Sequence, residues 1–168
     1  MKITFITNTM IFLEGNNTSV LCDPWVTFDE ESISGFYNFP KCALTRAQVA
    51  ALKPDLIYIT HTHPDHYDPP TLKLFDLDTP ILVADYLNNF TVRSVEKHGF
   101  TDVRIVPKVG GAALNGDDWI WVEPAENSPE VDSIAGLKID GMTAMNANDN
   151  IFHEGQCERL GIEIGGVD

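Results

Sequence analysis

The chain has 168 residues, 43% of them hydrophobic and 21% charged, and carries a formal net charge of −14 at pH 7. That length suits one domain spanning 1–168 with a substantial apolar core, and the residue balance excludes wholesale disorder. The excess of carboxylates repels phosphate backbones and anionic headgroups, which argues against nucleic acid or membrane as partners, and no apolar window reaches the length of a membrane span.

In chain order, KITFIT (2–7), MIFLE (10–14) and the apolar part of NTSVLCDPW (17–25) read as three strands of a meander, with EGNN (14–17) turning between the second and third. The opening stretch has one lysine but is interrupted by Asn and Thr and lacks a small-residue cleavage pattern, so it reads as a strand and not a leader. Residues 27–45 are irregular and mix aromatic with acidic side chains; they form either a surface loop packing its own rings or a lid facing a substrate. TRAQVAALK (45–53) has helical spacing with Thr45 as N-cap, and Pro54 stops it.

DLIYIT (55–60) is a buried strand. PPTLKLF (69–75) opens a helix with proline in its first turn, PILVAD (80–85) is a strand, and Tyr86 to His98 reads as a helix closed by Gly99. DVRIVP (102–107), WIWVEP (119–124) and GLKIDGMTAM (136–145) are further strands. Strands alternating with helices, then strands alone, predict a mixed α/β layer architecture. Cys22, Cys42 and Cys157 are odd in number and form no CxxC pair. They read as reduced thiols in a cytoplasmic protein, with Cys22 a core residue.

The chemistry concentrates in HTHPDH (61–66), directly after DLIYIT. Residues two apart in an extended segment project to one side, so His61 and His63 can converge on one ion. Pro64 then turns the chain, and Asp65 and His66 can hold a second ion beside the first. Imidazole with carboxylate suits zinc, iron or manganese, with zinc in one or two copies the leading expectation. Some of the negative charge would then be offset by bound cations. His98, in the last turn of its helix, is accounted for by the helix dipole. His153, four residues after Asp149, is either a surface residue or an additional ligand, and Asp149 by itself is either a turn aspartate or a ligand.

THTHPDH resembles the signature of the metallo-β-lactamase fold superfamily, and the likeness runs from about residue 3 to about residue 150. VLCDPW is similar to the family's LLIDPW segment, and DLIYITHTHPDHYDPPTLKLF is particularly similar to the branch of ascorbate-6-phosphate lactonase-like and CMP-sialic acid hydroxylase-like proteins. The resemblance implies an αββα sandwich, of which this chain supplies the N-terminal half with a truncated second half. It implies that His61 and His63 bind one metal, Asp65 and His66 a second, that Asp149 in NANDN bridges them, and that Asp23 supports the loops from behind.

Two departures stand out. VEPAENS places Asn127 where the family's VPAEHS supplies a histidine, so the first ion would be loosely held, would recruit Glu126 or His153, or would be absent. The chain is also short of the family's second half, which would leave an apolar inner sheet face exposed and predicts a piece of a longer protein, a reduced fold, a homo-oligomer, or a partner completing the fold. The function implied is a metal-dependent hydrolase, its activated water attacking an ester, lactone, amide or phosphodiester of a small molecule, with Asp65 as water-orienting catalytic residue. The alternative is a non-catalytic metal-binding or interaction module derived from the same fold. A role beside an iron–sulfur domain would need a separate protein, since no cysteine pair here can hold a cluster.

Overall fold

The computed structural model describes residues 1–28, 35–86, 88, 90–107, 110–125, 131–150, 155 and 158. Strands β1 (Lys2–Thr7), β2 (Met10–Glu14) and β3 (Ser19–Cys22) form the expected antiparallel meander. Strands β4 (Leu56–Ile59), β5 (Ile81–Ala84) and β6 (Val103–Val106) then add in parallel beside β3, giving one six-stranded mixed sheet in chain order. The crossovers carry helices α1 (Arg46–Ala50), α2 (Pro69–Leu72) and α3 (Phe90–Lys97). A second, antiparallel sheet contains β7 (Gly110–Ala113), β8 (Trp119–Pro124), β9 (Ser133–Ile139) and β10 (Met142–Asn146), in the order β10-β9-β8-β7.

The strands LIYI and ILVA are buried at every position, as parallel strands covered on both faces must be. Side chains alternate between two cores. Ile57, Ile59, Ile81 and Val83 meet Val49, Leu72 and Val95 from the helices. Leu56, Tyr58 and Leu82 meet Ile120, Leu137 and Ile139 from the second sheet. The layers are therefore helix, sheet, sheet, the α/β arrangement of an αββα sandwich's first half. This arrangement changes the ground for expecting an exposed inner face: the second sheet already covers it. Exposed apolar side chains lie on the edge strands, Ile3 and Phe5 of β1, Ile105 of β6 and Met142 and Met145 of β10, and outside the strands, among them Phe36, Tyr37, Phe39 and Phe90.

Helix starts follow local chemistry. Thr45 caps α1 in a capping box with Gln48, and Asp68 caps α2 by accepting from the Thr71 amide at 2.9 Å, ahead of Pro69. All three helices are shorter than the sequence pattern predicts. GLKIDGMTAM forms a hairpin, turning at Asp140 (φ 53°) and Gly141 (φ 74°), the positive pair that a tight two-residue hairpin turn requires. No helix among the described residues is long and apolar enough to cross a membrane.

Gly15, in the turn between β2 and β3, lies against the second sheet: a Cβ there would collide with the Ile139 side chain and sit 2.9 Å from Asp140 Oδ2. Gly15→Ala is expected to lower stability by about 1–3 kcal/mol, the usual cost of overpacking, read from the urea unfolding midpoint. A midpoint equal to that of the unsubstituted protein would show that this contact between sheets is slack.

Candidate metal centre

The centre forms where β3, β4 and β10 end. Asp23 follows β3, His61 stands two residues beyond β4, and Asp149 follows β10 by three. Crevices at the carboxyl ends of parallel strands are a recurrent site location in open α/β sheets. The HTHPDH segment closes into a turn in which the His66 and Tyr67 amides both donate to the His63 carbonyl at 2.9 Å. The Thr9 hydroxyl donates to the Asp65 carbonyl and fixes the turn against the β1–β2 connection.

Behind the histidines lies a buried polar hub. Asp23, 1% exposed, adopts a left-handed backbone (φ 47°), and its amide donates to the Tyr58 carbonyl at 2.9 Å. Its carboxylate accepts the Thr60 amide at 2.8 Å and the Thr60 hydroxyl at 2.9 and 3.0 Å. It also lies 3.0 Å from His66 Nδ1. Because the Thr60 hydroxyl hydrogen is directed to Asp23, its oxygen is left to accept from His61 Nδ1 at 3.0 Å. The Thr60 carbonyl accepts in turn from Tyr86 at 2.6 Å and Ser133 at 3.1 Å. Both buried histidines are thus gripped at Nδ1, leaving each Nε2 lone pair facing outward, the arrangement that orients imidazole ligands.

What faces outward converges. His61 Nε2 and His63 Nδ1 are 2.7 Å apart. His66 Nε2 is buried without a hydrogen-bond partner among the described residues, 3.4 Å from Asp149 Oδ2 and 3.8 Å from Asp65 Oδ2. One ligand atom from each of His61, His63 and Asp149 falls within 4.8 Å of the others, and the same holds for Asp65, His66 and Asp149. Asp149 alone belongs to both groups. An orphaned buried nitrogen, two converging imidazole nitrogens and a shared carboxylate are a donor set that fits a metal ion.

The electrostatics at His61 agree with that use. Burial, reinforced by His66, pushes the His61 pKa down to about 4, so its lone pair is free at neutral pH. For His66 burial also opposes protonation, but the hydrogen bond and charge of Asp23, with Asp149 and Asp65, outweigh it and hold the pKa above its ordinary value. Burial raises the pKa of Asp23 against the lowering effect of His66 and Thr60. A cavity of about 300 Å³ opens beside His66 and Asp149, walled by Asn8, Thr9, Met145 and Asn148.

All five candidates from the sequence, His61, His63, Asp65, His66 and Asp149, come together here. Asn127, Glu126, His153 and Cys157 lie outside the described residues. His98 is elsewhere, near the Tyr67 ring at 6.4 Å; partial burial first, then Lys73 and Lys97, lower its pKa. Thr60, Ser133, Tyr86 and Asp132 join the site without having been candidates in the sequence. Thr60 was open to reading as the polar residue between a buried strand and its first histidine, and Asp132 as a carboxylate directly preceding the apolar run SIAGL.

Three likenesses bear on this site. The chain is 29% identical over 117 residues to a UPF0173 metal-dependent hydrolase of Staphylococcus aureus, covering 67% of this chain and 42% of that protein. It is 30% identical over 101 residues to a Mycolicibacterium smegmatis protein named for a Rieske 2Fe-2S centre, covering 60% of this chain and 19% of the other. The chain therefore spans less than half the length of these curated relatives. A Veillonella parvula structure described as a possible metal-dependent hydrolase superposes with a TM-score of 0.77 at 18% identity, over 98% of this chain and 68% of that one, a likeness of fold. Residues 2–160 match the beta-lactamase superfamily domain, and with the layered sheets and the HTHPDH turn this makes the chain a member of the metallo-β-lactamase superfamily.

Proposed function

We propose that His61, His63 and Asp149 hold one metal ion, that Asp65, His66 and Asp149 hold a second, and that the protein is a metal-dependent hydrolase of small molecules. The observation that carries this reading is the position of Asp149, whose carboxylate lies within reach of both groups while the buried His66 Nε2 beside it has no hydrogen-bond partner among the described residues. Zinc is the proposed ion, since imidazole and carboxylate donors without thiolate match its preferences, as they match iron and manganese. Such an ion, when bound, lowers the pKa of water to near neutrality and polarises a carbonyl or phosphoryl oxygen.

The chain's own groups do the rest. Asp23 and Thr60 keep both Nδ1–H groups pointed inward, so the ligand nitrogens need no reorganisation. Asp65, on the open side of His66, orients water and accepts its proton. The cavity beside Asp149 admits an ester, lactone, amide or phosphodiester. Support for hydrolysis comes from the staphylococcal relative's name; the substrate follows only from what such a centre can attack. We place the protein in the cytoplasm because Cys22 and Cys42 are free thiols. As a single domain, it would gain from a second copy or a further segment covering the Phe5 and Met142 edges.

Elemental analysis of purified protein, paired with turnover of generic ester and phosphodiester substrates before and after chelation, tests the proposal. One or two equivalents of metal, with turnover lost to chelator and restored by zinc, is the expected result. Metal-free protein would overturn it, and bound metal without turnover of any substrate would make the chain a non-catalytic metal-binding module.

A further inference from the structure

Asp132 immediately precedes β9, is 6% exposed, and belongs to neither ligand group. One of its oxygens, Oδ1, has three neighbours. The Ser133 amide donates to it at 2.7 Å, Asn148 Nδ2 donates to it at 2.6 Å, and His61 Nδ1 lies 3.3 Å away. Asn148 immediately precedes Asp149 in the chain. It sits in the left-handed region (φ 46°), gives its second amide hydrogen to the Ser133 carbonyl at 3.0 Å, and accepts the Asp149 amide on its own side-chain oxygen. A single buried carboxylate oxygen therefore touches both the back of His61 and the clamp that shapes the Asp149 turn.

We propose that Asp132 is a positioning residue that couples the two parts of the centre, holding the inner edge of His61 and, through Asn148, the turn bearing Asp149, so that ligands from the first and second sheets are aligned together. This rests on the metal-centre reading above. Without Asp132, the Thr60 hydroxyl remains to grip His61, but the Asn148 amide loses its strongest acceptor and the Asp149 turn is released. The coupling runs through contact, so perturbing either end of it should have the same consequence as perturbing both.

The test is a double-mutant cycle on zinc affinity, measured by competition with a chromophoric chelator. Asp132→Ala and Asn148→Gly (a residue that tolerates the left-handed turn) are each expected to weaken binding by about 10–100-fold, the usual cost of losing a group that orients a ligand. The double variant is expected to be no weaker than the poorer single one. Asp132→Asn retains an acceptor oxygen and should recover most of the affinity, and Asp132→Ser, too short to reach His61 or Asn148, replaces the alanine variant in the cycle if that variant does not fold. In metal-free protein, nitrogen NMR of His61 should show the Nδ1–H tautomer weakened in Asp132→Ala, a change that loss of fold stability alone would not produce. Additive effects in the cycle, or wild-type affinity in Asp132→Ala with an unaltered His61 tautomer, would overturn the proposal. Failure of the unsubstituted protein to bind zinc would instead sink the metal-centre reading.

Discussion

Asp149→Ala should strip metal from both ligand groups at once, with zinc affinity falling by at least about 100-fold, beyond the cost of losing a merely orienting group. The reasoning is geometric. Asp149 is the one residue common to both groups, whereas His63 belongs only to the first and Asp65 only to the second. Single replacements at His63 and Asp65 should therefore each leave one ion's worth of metal, and Asp149→Ala should leave neither. The same substitution should hardly alter the metal-free fold, within about 0.5 kcal/mol, because the Asp149 side chain is 57% exposed. Metal content by mass spectrometry, alongside urea unfolding of the stripped protein, separates the two effects. Retention of full stoichiometry in Asp149→Ala would remove the bridging role and with it the observation on which the proposed function stands.

The first arm of this centre was legible in the sequence because its information is local. A continuous apolar run predicts a strand buried on both faces, and histidines two apart just beyond its end must share a side. Asp149 is different. It is distant in sequence and sits among asparagines that favour turns, so only the family likeness joined it to His61. Nothing in DS at 132–133 signals that its carboxylate meets His61, because that contact depends on how the second sheet stacks on the first and on the turn after β10.

The fold shows the same division. Strands built from Ile, Val and Leu were found, but β7, with sequence GGAA, was missed because small residues carry little strand propensity. Its pairing with β8 supplies what its side chains do not: a Cβ on Gly111 would come within 3.0 Å of the Ile120 carbonyl. The turn at Asp140-Gly141 is carried by that dipeptide, a favoured pair in two-residue hairpin turns. Shortened helices have a related cause. α1 and α2 are held by good caps at their starts, and α1 is then stopped by the chain's need to reach β4 past Pro54.

Asp23→Ala is expected to cost about 3–5 kcal/mol of stability in the metal-free protein, the penalty for removing one side of a buried charged network. The loss has four parts that fall together. The Thr60 amide, the Thr60 hydroxyl and His66 Nδ1 all lose their acceptor in a region closed to water, and alanine must take up a left-handed backbone that aspartate tolerates better. Asp23→Asn keeps the shape and an acceptor oxygen but surrenders the charge, and should fall between the two. The hub also sets the state of His66. Burial alone drives its pKa down, and Asp23 is the largest influence raising it, so the His66 pKa should fall in Asp23→Ala when followed by NMR titration. Zinc affinity should weaken with it by about 10–100-fold, since the Nε2 lone pair would no longer be aimed by a fixed Nδ1–H. A destabilisation below about 1 kcal/mol, the scale of one ordinary hydrogen bond, would mean that water or a rearranged Thr60 replaces the carboxylate. The ligands would then be oriented by the turn itself, and not by the hub beneath it.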